Sequence, residues 1–263
     1  MESFAGPRAV FATSTNQYIA VRCVCAAAAS VLELELMSAF RGVATTAMQG
    51  AAGLLLLFAG WGMRDLGEFF ANPIRTGFVV LIVLGAALAV ILRVETQPIR
   101  KGLLATKRQG VELGILLALS VLLLAFLPFA DRHELLVVQS PAIAFGIRGI
   151  GLVLCGAGGT IRLLALQRLG PQFSAYVTLQ PGHRLVQDGI YRRIRHPLYL
   201  SLLMVPGGIA LVFASQLALP ILTLSLIFVA DRIRKEERLL VEGFGAEFCA
   251  YRARTRMLIP GVL

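Results

Sequence analysis

Long apolar segments constrain the fold of this chain more than any other feature. A helix needs about 20 apolar residues to cross the hydrocarbon core of a bilayer. Four segments of about that length occupy residues 43–63, 76–94, 111–129 and 141–166, and a longer apolar run occupies residues 197–230. Because 57% of the 263 residues are hydrophobic and only 15% are charged, the chain is too apolar for a soluble domain. The sequence therefore predicts an all-α fold, a polytopic membrane helical bundle.

The apolar run 197–230 is too short for two complete crossings, which would need about 40 residues. Polar residues interrupt it at Ser215 and Gln216. We therefore predict a C-terminal helical hairpin of two short arms that turns near these two residues.

Residues 1–42 are the hardest part of the chain to place. Arg22, Glu33 and Glu35 interrupt their apolar stretch, and the two glutamates point to different sides of a helix. We predict a lead-in that is an interfacial helix or a poorly ordered segment; an extra span and a cleaved signal are the alternatives. Three transmembrane helices would follow in residues 43–140, and residues 141–263 would hold a fourth, the hairpin and the region that carries the chemistry.

The loops between these segments alternate in charge. Residues 93–110 carry a net charge of +4 and residues 162–196 a net +5, whereas residues 64–75 and 130–140 carry 0 and −1. Because basic loops stay on the cytosolic side, we expect the two basic segments and the C-terminus in the cytosol, at a bacterial inner membrane or an endomembrane. Clustering of the net +10 charge in loops indicates contact with membrane lipid, and we expect no nucleic-acid partner.

Patterns typical of metal sites and of soluble nucleotide-binding domains are not found in this sequence. The glycines of GIRGIGLVLCGAGG, residues 146–159, lie inside a membrane segment, where they indicate close helix packing. The cysteines have no paired spacing and no histidine cluster beside them, so we expect no metal site and no disulfide framework. They are Cys23, Cys25, Cys155 and Cys249.

Arg148 is a charged residue within the fourth apolar segment. An intramembrane charge often marks a transport pathway, which would favour a transporter or another non-catalytic membrane protein. We expect instead that the side chain of Arg148 extends to the outer interface of the membrane, as long basic side chains do.

The stretch YRRIRHPLYL, residues 191–200, places basic residues at the start of the hairpin. Pro197 suits the first turn of a helix, and it biases His196 away from helical geometry. The chain is therefore expected to turn at His196 and then enter the membrane, with first-turn amides that favour an anionic group. Arg192 and Arg193 are the expected head-group anchors, and for Arg195 both that role and a role in a site stay open.

A second polar cluster follows the hairpin, in ADRIRKEERLLVEGFGAEF, residues 230–248. Arg232 and Glu236 lie one helical turn apart and border the apolar side, with Glu237 at its other edge. A plain salt bridge between Arg232 and Glu236 is the alternative. The other charged side chains are expected to face water: Asp231, Arg234, Lys235, Arg238 and Glu242.

These two clusters together resemble a known family. DGIYRRIRHPLYLS (188–201) followed by DRIRKEERLLVEGFGAEFCAYRARTRMLIP (231–260) resembles the isoprenylcysteine carboxyl methyltransferase family, including its bacterial members and its phospholipid N-methyltransferase relatives. RLLALQRLGPQFS (162–174) and GHRLV (182–186) are similar to it as well. The resemblance covers about residues 160–260. Two positions depart from the family pattern, because Ser201 stands where glycine is common and Phe248 where tyrosine is frequent.

The resemblance implies an integral membrane carboxyl O-methyltransferase with a cytosolic cofactor pocket for S-adenosyl-L-methionine. Its acceptor would be a lipophilic small molecule or a lipidated, prenylcysteine-like substrate, whose carboxylate is ionised at neutral pH and needs no general base. Arg232 and Glu236 are implied as catalytic residues, with Arg232 holding the acceptor carboxylate. The implied cofactor-binding residues are Thr178, His183, Arg184, Leu185, Val186, Tyr191, Arg195, His196, Pro197, Leu198, Tyr199, Glu236 and Glu237.

Two other activities stay open at this point. Methylation of an amine on a phospholipid or another lipophilic molecule would fit the same fold, although Arg232 favours an anionic acceptor. A membrane sterol or steroid reductase that uses NADPH would share a related histidine-containing C-terminal region. The pair Glu236 and Glu237, followed by the residues FGAE, argues against the reductase.

Overall fold

The computed structural model describes residues 47–92, 123–173 and 184–259, together with Ala44. Some sequence predictions therefore concern residues outside the described ranges. These are the lead-in 1–42, the basic loop 93–110, the first part of segment 111–129, and the two candidate cofactor residues Thr178 and His183.

The described residues form eight α-helices. They are α1 (Ala47–Trp61), α2 (Leu66–Ala71), α3 (Pro73–Ile91), α4 (residues 123–132), α5 (Pro141–Leu169), α6 (Pro197–Val212), α7 (Ala218–Phe244) and α8 (Ala246–Arg254). Two short 3-10 turns, Gly170–Gln172 and Gly189–Arg192, precede α6. Over these ranges the chain has isolated β-bridges and no extended strand, so the predicted all-α fold is confirmed there.

Three of the long helices begin at a proline. Pro73, Pro141 and Pro197 are the first residues of α3, α5 and α6. The missing N–H of proline costs nothing at that position, because the first-turn N–H groups have no partner within the helix. Asn72 adds a side-chain cap to α3 by accepting a hydrogen bond from the N–H of Ile74 at 3.0 Å. These helix starts are therefore encoded by local sequence.

Two described helices, α3 and α5, are long and apolar enough to cross a membrane. They have 19 and 29 residues, and their most apolar windows have mean hydropathies of 2.4 and 1.7. Helices α1 and α6 are also apolar but shorter. Large apolar side chains such as Val80, Leu84 and Leu88 are exposed along α3, and such a surface suits contact with lipid.

Helices α6 and α7 form a hairpin whose turn spans residues 213–217. The turn contains Ser215 and Gln216, where the sequence predicts it, and the Gln216 N–H donates to the Leu136 carbonyl at 2.7 Å. The second arm is longer than predicted, because α7 continues without a break from the apolar run into the charged residues that follow. It ends at Gly245, whose φ of 51° is a conformation that favours glycine and stops helices.

Glycines allow α5 and α6 to approach closely. A Cβ atom on Gly151 would lie 2.5 Å from the Val212 nitrogen and 2.6 Å from the Gly208 oxygen, both of which belong to the backbone of α6. A Cβ on Gly158 would lie 2.9 Å from the Met204 Cβ. The predicted packing role is therefore confirmed for these two glycines. At Gly146, Gly149 and Gly159 a Cβ would meet no atom of the described residues within 4 Å, so a packing role for these glycines stays a prediction.

A buried ion cluster connects α3, α4 and α5. Asp131 lies between two arginines, at 2.9 Å from Nη2 of Arg75 and at 2.6 Å from Nη2 of Arg148. The side chain of Asp131 is 2% exposed and those of Arg75 and Arg148 are 12% and 11% exposed. Arg148 therefore has a paired, hydrogen-bonded position inside the helix bundle, on a carboxylate that lies near the end of α4. The placement of Arg148 at the outer interface of the membrane stays a prediction.

The two ends of α6 belong to different regions of the protein. At its C-terminal end, Phe213 packs in an apolar core with Leu57, Trp61 and Phe78, and the Val212 carbonyl lies 3.5 Å from Nη1 of Arg148. At its N-terminal end lies the His-Pro turn. A helix of 16 residues is about 24 Å long. The ion cluster and the His-Pro turn are therefore separated by about the length of α6.

Candidate active site

The His-Pro turn has the backbone geometry that the sequence predicts. His196 is the N-cap of α6 with φ −125° and ψ 58°, which is not helical, and Pro197 is the first helical residue. His196 is 4% exposed and Pro197 is fully buried. The imidazole therefore starts α6 as a buried side chain, where its polar atoms require partners.

Two adjacent glutamates supply partners for the His196 ring. Nε2 lies 3.3 Å from Oε1 of Glu237, and Nδ1 lies 4.0 Å from Oε1 of Glu236. The Glu237 side chain is 10% exposed, whereas that of Glu236 is 35% exposed. Glu237 is thus an internal partner of the imidazole, and Glu236 keeps an accessible side on which it can bind a ligand.

Glu237 also pairs with Arg195, the residue before the histidine. Oε1 of Glu237 accepts a hydrogen bond from Nε of Arg195 at 3.0 Å, so one carboxylate oxygen serves both residues. Burial by itself would raise the pKa of the Glu237 carboxyl. The hydrogen bonds and positive charge offered by His196 and Arg195 outweigh burial and lower this pKa from 4.5 to about 2.

The lowered pKa of Glu237 predicts a pH-dependent contribution to stability. Because the folded-state pKa lies below the unfolded value near 4.5, the stabilisation is complete above about pH 4.5 and is lost as the pH falls towards about 2. We expect Glu237→Gln to destabilise the protein in detergent at about pH 6, and the difference from wild type to shrink below about pH 4.5. Thermal unfolding of both proteins across this range measures the effect.

Glu242→Gln is the matched control, because Glu242 is an exposed carboxylate on the same helix. Its difference from wild type should be small and should not follow the same pH dependence. A Glu237→Gln deficit that stays constant from about pH 6 to about pH 3 would contradict the ion-pair interpretation.

Tyr199 connects the two residues that the sequence places one turn apart on α7. Nε of Arg232 donates a hydrogen bond to the Tyr199 hydroxyl at 3.5 Å, and this hydroxyl also interacts with the Glu236 carboxylate. The Tyr199 ring lies 5.7 Å from the His196 ring, centre to centre. Arg232 is only 7% exposed, so its guanidinium is a buried cation at the edge of the apolar side of α7. The structure thus brings Arg232, Glu236, Tyr199 and His196 together.

The other candidate cofactor residues divide into two groups. Tyr191 is 6% exposed and lies near Glu236; burial first, and then the Glu236 charge, raise the pKa of its hydroxyl, so Tyr191 stays neutral. Leu198 is half-buried in the first turn of α6. In the described segment 184–190, by contrast, no hydrogen bond or ion pair joins Arg184, Leu185 or Val186 to the His196 group. The Arg184 N–H instead donates to Oε1 of Gln172 at 3.1 Å.

The helical-wheel prediction for α7 agrees with the observed exposure. Asp231, Arg234, Arg238 and Glu242 are exposed, and Lys235, which pairs with Asp231 at 2.5 Å, is half-buried. An open depression of about 340 Å³ lies on this solvated side. It is lined by Arg234, Glu237, Arg238, Val241, Glu242 and Arg252, so Glu237 is the one candidate cofactor residue that lines it.

Sequence reasoning missed the C-terminal segment as part of the site. The main-chain N–H of Arg195 donates to the Arg256 carbonyl at 2.8 Å, and the main-chain N–H of His196 donates to the Met257 carbonyl at 3.1 Å. The Tyr251 hydroxyl donates to the Tyr191 carbonyl at 2.7 Å. Tyr251 falls in the family-like pattern, but no sequence signal marks the main-chain acceptors. Backbone hydrogen bonding carries no residue-type signature.

Comparison with known proteins places the resemblance in the same part of the chain. Residues 150–242 match the model of the isoprenylcysteine carboxyl methyltransferase family. The protein-S-isoprenylcysteine O-methyltransferase of Saccharomyces cerevisiae is 35% identical over 114 residues, which are 42% of this chain and 48% of the yeast protein. The Tribolium castaneum protein of that name is 32% identical over 117 residues, which are 43% of this chain and 42% of that protein.

A solved structure is also similar, that of the eukaryotic intramembrane Ras methyltransferase, isoprenylcysteine carboxyl methyltransferase. It is 19% identical, with a TM-score of 0.42, and the match covers 86% of this chain and 94% of that chain. The chain spans less than half the length of the yeast and Tribolium relatives. The resemblance predicted from the sequence motifs is confirmed: residues 150–242, which contain His196, Arg232, Glu236 and Glu237, match the isoprenylcysteine carboxyl methyltransferase family model.

Proposed function

We propose that this protein is a membrane methyltransferase that uses S-adenosylmethionine to methylate the carboxylate of a lipophilic, prenylcysteine-like acceptor. The observation that carries the proposal is the position of Tyr199. Its hydroxyl connects a buried cation, Arg232, to a carboxylate with an accessible side, Glu236, next to the buried His196. Arg232, which can bind an anionic methyl acceptor, therefore lies beside Glu236, which can accept hydrogen bonds from a polar cofactor.

The residues of the site fit S-adenosylmethionine chemically. The Glu236 carboxylate is 35% exposed and can accept hydrogen bonds from hydroxyl or ammonium groups. Tyr191 and Tyr199 offer aromatic rings, which attract cationic ligands. S-adenosylmethionine would supply an electrophilic methyl group. The protein's own residues would bind and orient the reactants and exclude water from them.

Arg232 is the residue we assign to the acceptor carboxylate. A guanidinium can bind a carboxylate through two parallel hydrogen bonds, which fix its orientation as well as its charge. A carboxylate is already ionised at neutral pH, so the site requires no general base. The low exposure of Arg232, 7%, strengthens the attraction, because a buried pair is less screened than one in water.

The surroundings of Arg232 suit a lipophilic acceptor. Val229 and Ile233, on the same helix, belong to an apolar cluster with Tyr199, Leu203 and Leu258. Nearer the N-terminus of α7, Leu224, Leu226 and Ile227 are exposed apolar residues of the kind that contact lipid. An acceptor could therefore keep its apolar part in the bilayer while its carboxylate reaches Arg232.

The membrane placement that we propose follows from helix length and loop charge. Helices α3 and α5 would cross the bilayer, and the basic residues around the His-Pro turn would place the site on the cytosolic side. The cofactor would then enter from the cytosol and the acceptor from the membrane.

The test is incubation of the purified protein in lipid nanodiscs with methyl-labelled S-adenosylmethionine and a panel of lipophilic acids, thiols and amines. We expect base-labile label in the acids only, because methyl esters hydrolyse in base and methylated thiols and amines do not. Label in the amines would overturn carboxyl methylation in favour of N-methylation. Binding of NADPH without binding of S-adenosylmethionine would overturn the methyltransferase assignment.

His196→Ala and Glu236→Ala should each weaken cofactor binding, whereas Glu242→Ala, at an exposed position, should not.

A further inference from the structure

The side chain of Arg195 is occupied by contacts within the protein. Its Nε donates to Glu237, and its Nη1 donates to the carbonyl oxygens of Arg252, at 3.1 Å, and of Thr255. The side chain is 7% exposed. One planar guanidinium therefore joins the His-Pro turn, helix α7 and the end of α8.

The main chain reinforces the same connection. Residues 193–196 run parallel to residues 256–257, with an isolated bridge between Ile194 and Arg256. The Arg256 N–H donates to the Arg193 carbonyl at 3.0 Å, beside the two hydrogen bonds that reach the carbonyls of residues 256 and 257. The C-terminal segment is thus hydrogen-bonded to the main chain of the turn from Arg193 to His196.

Tyr251 and Thr255 hold the other side of this arrangement. The Tyr251 hydroxyl donates to the Tyr191 carbonyl, and burial raises the pKa of Tyr251 to about 12, so the hydroxyl stays a donor at neutral pH. The Thr255 hydroxyl donates to the Tyr251 carbonyl at 2.7 Å and also lies 3.4 Å from Nη1 of Arg195. Tyr251 and Thr255 are therefore hydrogen-bonded both to each other and to the region of the turn.

We propose that Arg195 is a positioning residue that sets the orientation of the His196 imidazole through Glu237, with segment 251–257 as its anchor. One carboxylate oxygen is shared by the two residues. Oε1 of Glu237 contacts both Nε of Arg195 and Nε2 of His196. Arg195 therefore fixes the position of this oxygen, and the oxygen in turn orients the imidazole ring. This role rests on the proposed function and differs from the direct cofactor contact that family resemblance implies for Arg195 and Glu237.

The consequence for the site is a fixed imidazole at the start of α6. Small errors in the position of a binding group cost large factors in rate and affinity, so a side chain with two soft torsions needs support from its neighbours. Arginine suits this role, since its fork can hold a carboxylate and two carbonyls at once. Lysine would keep the charge without the fork.

The experiment is a double-mutant cycle on Arg195 and Glu237, read by two methods. The first readout is S-adenosylmethionine affinity in nanodiscs. We expect Arg195→Ala and Glu237→Gln each to raise Kd by about tenfold, and the double variant to be no worse than either single one, because both act on the same imidazole. Additive losses would overturn the proposal, since they would mean that each residue contacts the cofactor independently.

The second readout is the nitrogen NMR signal of the His196 ring in the protein without cofactor. The chain has three histidines, so assignment needs only His133→Gln and His183→Gln. The His196 signal should move in Arg195→Ala and in Glu237→Gln. It should stay in place in Arg192→Ala, which removes an exposed arginine from the same turn. An unmoved His196 signal in Arg195→Ala would overturn the positioning role.

Arg195→Lys keeps the test usable if the alanine variant does not fold. The lysine variant should move the His196 signal in the same direction and weaken cofactor binding by a smaller factor. Wild-type behaviour of Arg195→Lys in both readouts would overturn the role of the fork. Failure of the wild-type protein to bind S-adenosylmethionine would overturn the proposed function instead, because the NMR readout needs no cofactor.

Discussion

Arg232→Ala is expected to lower the rate of methyl transfer by at least about a hundredfold, while S-adenosylmethionine affinity stays close to that of wild type. The reason is the division of roles within the site. Arg232 contacts Tyr199 at the apolar edge of α7, whereas His196 and Glu236 supply the polar groups proposed for the cofactor. Removal of the guanidinium would leave the carboxylate of the proposed acceptor without its charge partner. Single-turnover transfer and equilibrium cofactor binding measure the two effects separately.

Arg238→Ala is the matched control, because Arg238 is an exposed arginine six residues further along the same helix. It should leave both measurements unchanged. Arg232→Lys should recover only part of the activity, since lysine restores the charge but cannot bind a carboxylate in the two-pronged geometry of arginine. Full methyl transfer by Arg232→Ala would exclude the carboxylate-holding role.

Asp131→Ala is expected to cause the largest loss of stability, about 3–5 kcal/mol. The substitution leaves Arg75 and Arg148, whose side chains are 12% and 11% exposed, without the carboxylate that both of them bind. An uncompensated buried charge is costly, because its lost hydration is not repaid by a partner. The measurement is the thermal or denaturant-induced unfolding transition of the protein in detergent.

Glu134→Gln serves as the control for this substitution, since Glu134 is an exposed carboxylate just after the end of α4, three residues from Asp131. It should unfold as wild type does. Changing one of the arginines to methionine in the Asp131→Ala background should recover part of the loss, because one fewer buried charge is then left unpaired. An Asp131→Ala protein as stable as the Glu134→Gln protein would show that the cluster contributes nothing to stability.

Much of the helical framework could be predicted from local sequence. The apolar segment 76–94 overlaps α3, the segment 141–166 lies within α5, and the hairpin turns at Ser215 and Gln216. Hydropathy, proline at helix starts and polar residues at turns act over a few residues, so they can be read without the fold. The length of α7 could not be predicted in the same way, because the apolar run ends near residue 230 whereas the helix continues through charged residues to Phe244.

For the candidate site, features set by neighbouring residues could be predicted from the sequence, whereas contacts between helices could not. Helical spacing placed Arg232 and Glu236 together, and the proline after His196 indicated the turn. Roles of these residues in binding and catalysis stay predictions. Tyr199 as the connection between Arg232 and Glu236 could not be foreseen, since Tyr199 is on α6 and both partners are on α7.

The sequence by itself determined the helical fold of the described residues, the helix starts at proline, the His-Pro turn and the motifs that match the isoprenylcysteine carboxyl methyltransferase family model. Only the tertiary structure decided which charges pair. In the folded protein Arg148 forms an ion pair with Asp131 and Arg195 with Glu237, and the C-terminal segment forms backbone hydrogen bonds with the His-Pro turn. The physical reason is that helix formation depends on neighbours three or four residues apart, whereas a buried charge takes whichever opposite charge the packed helices bring within reach.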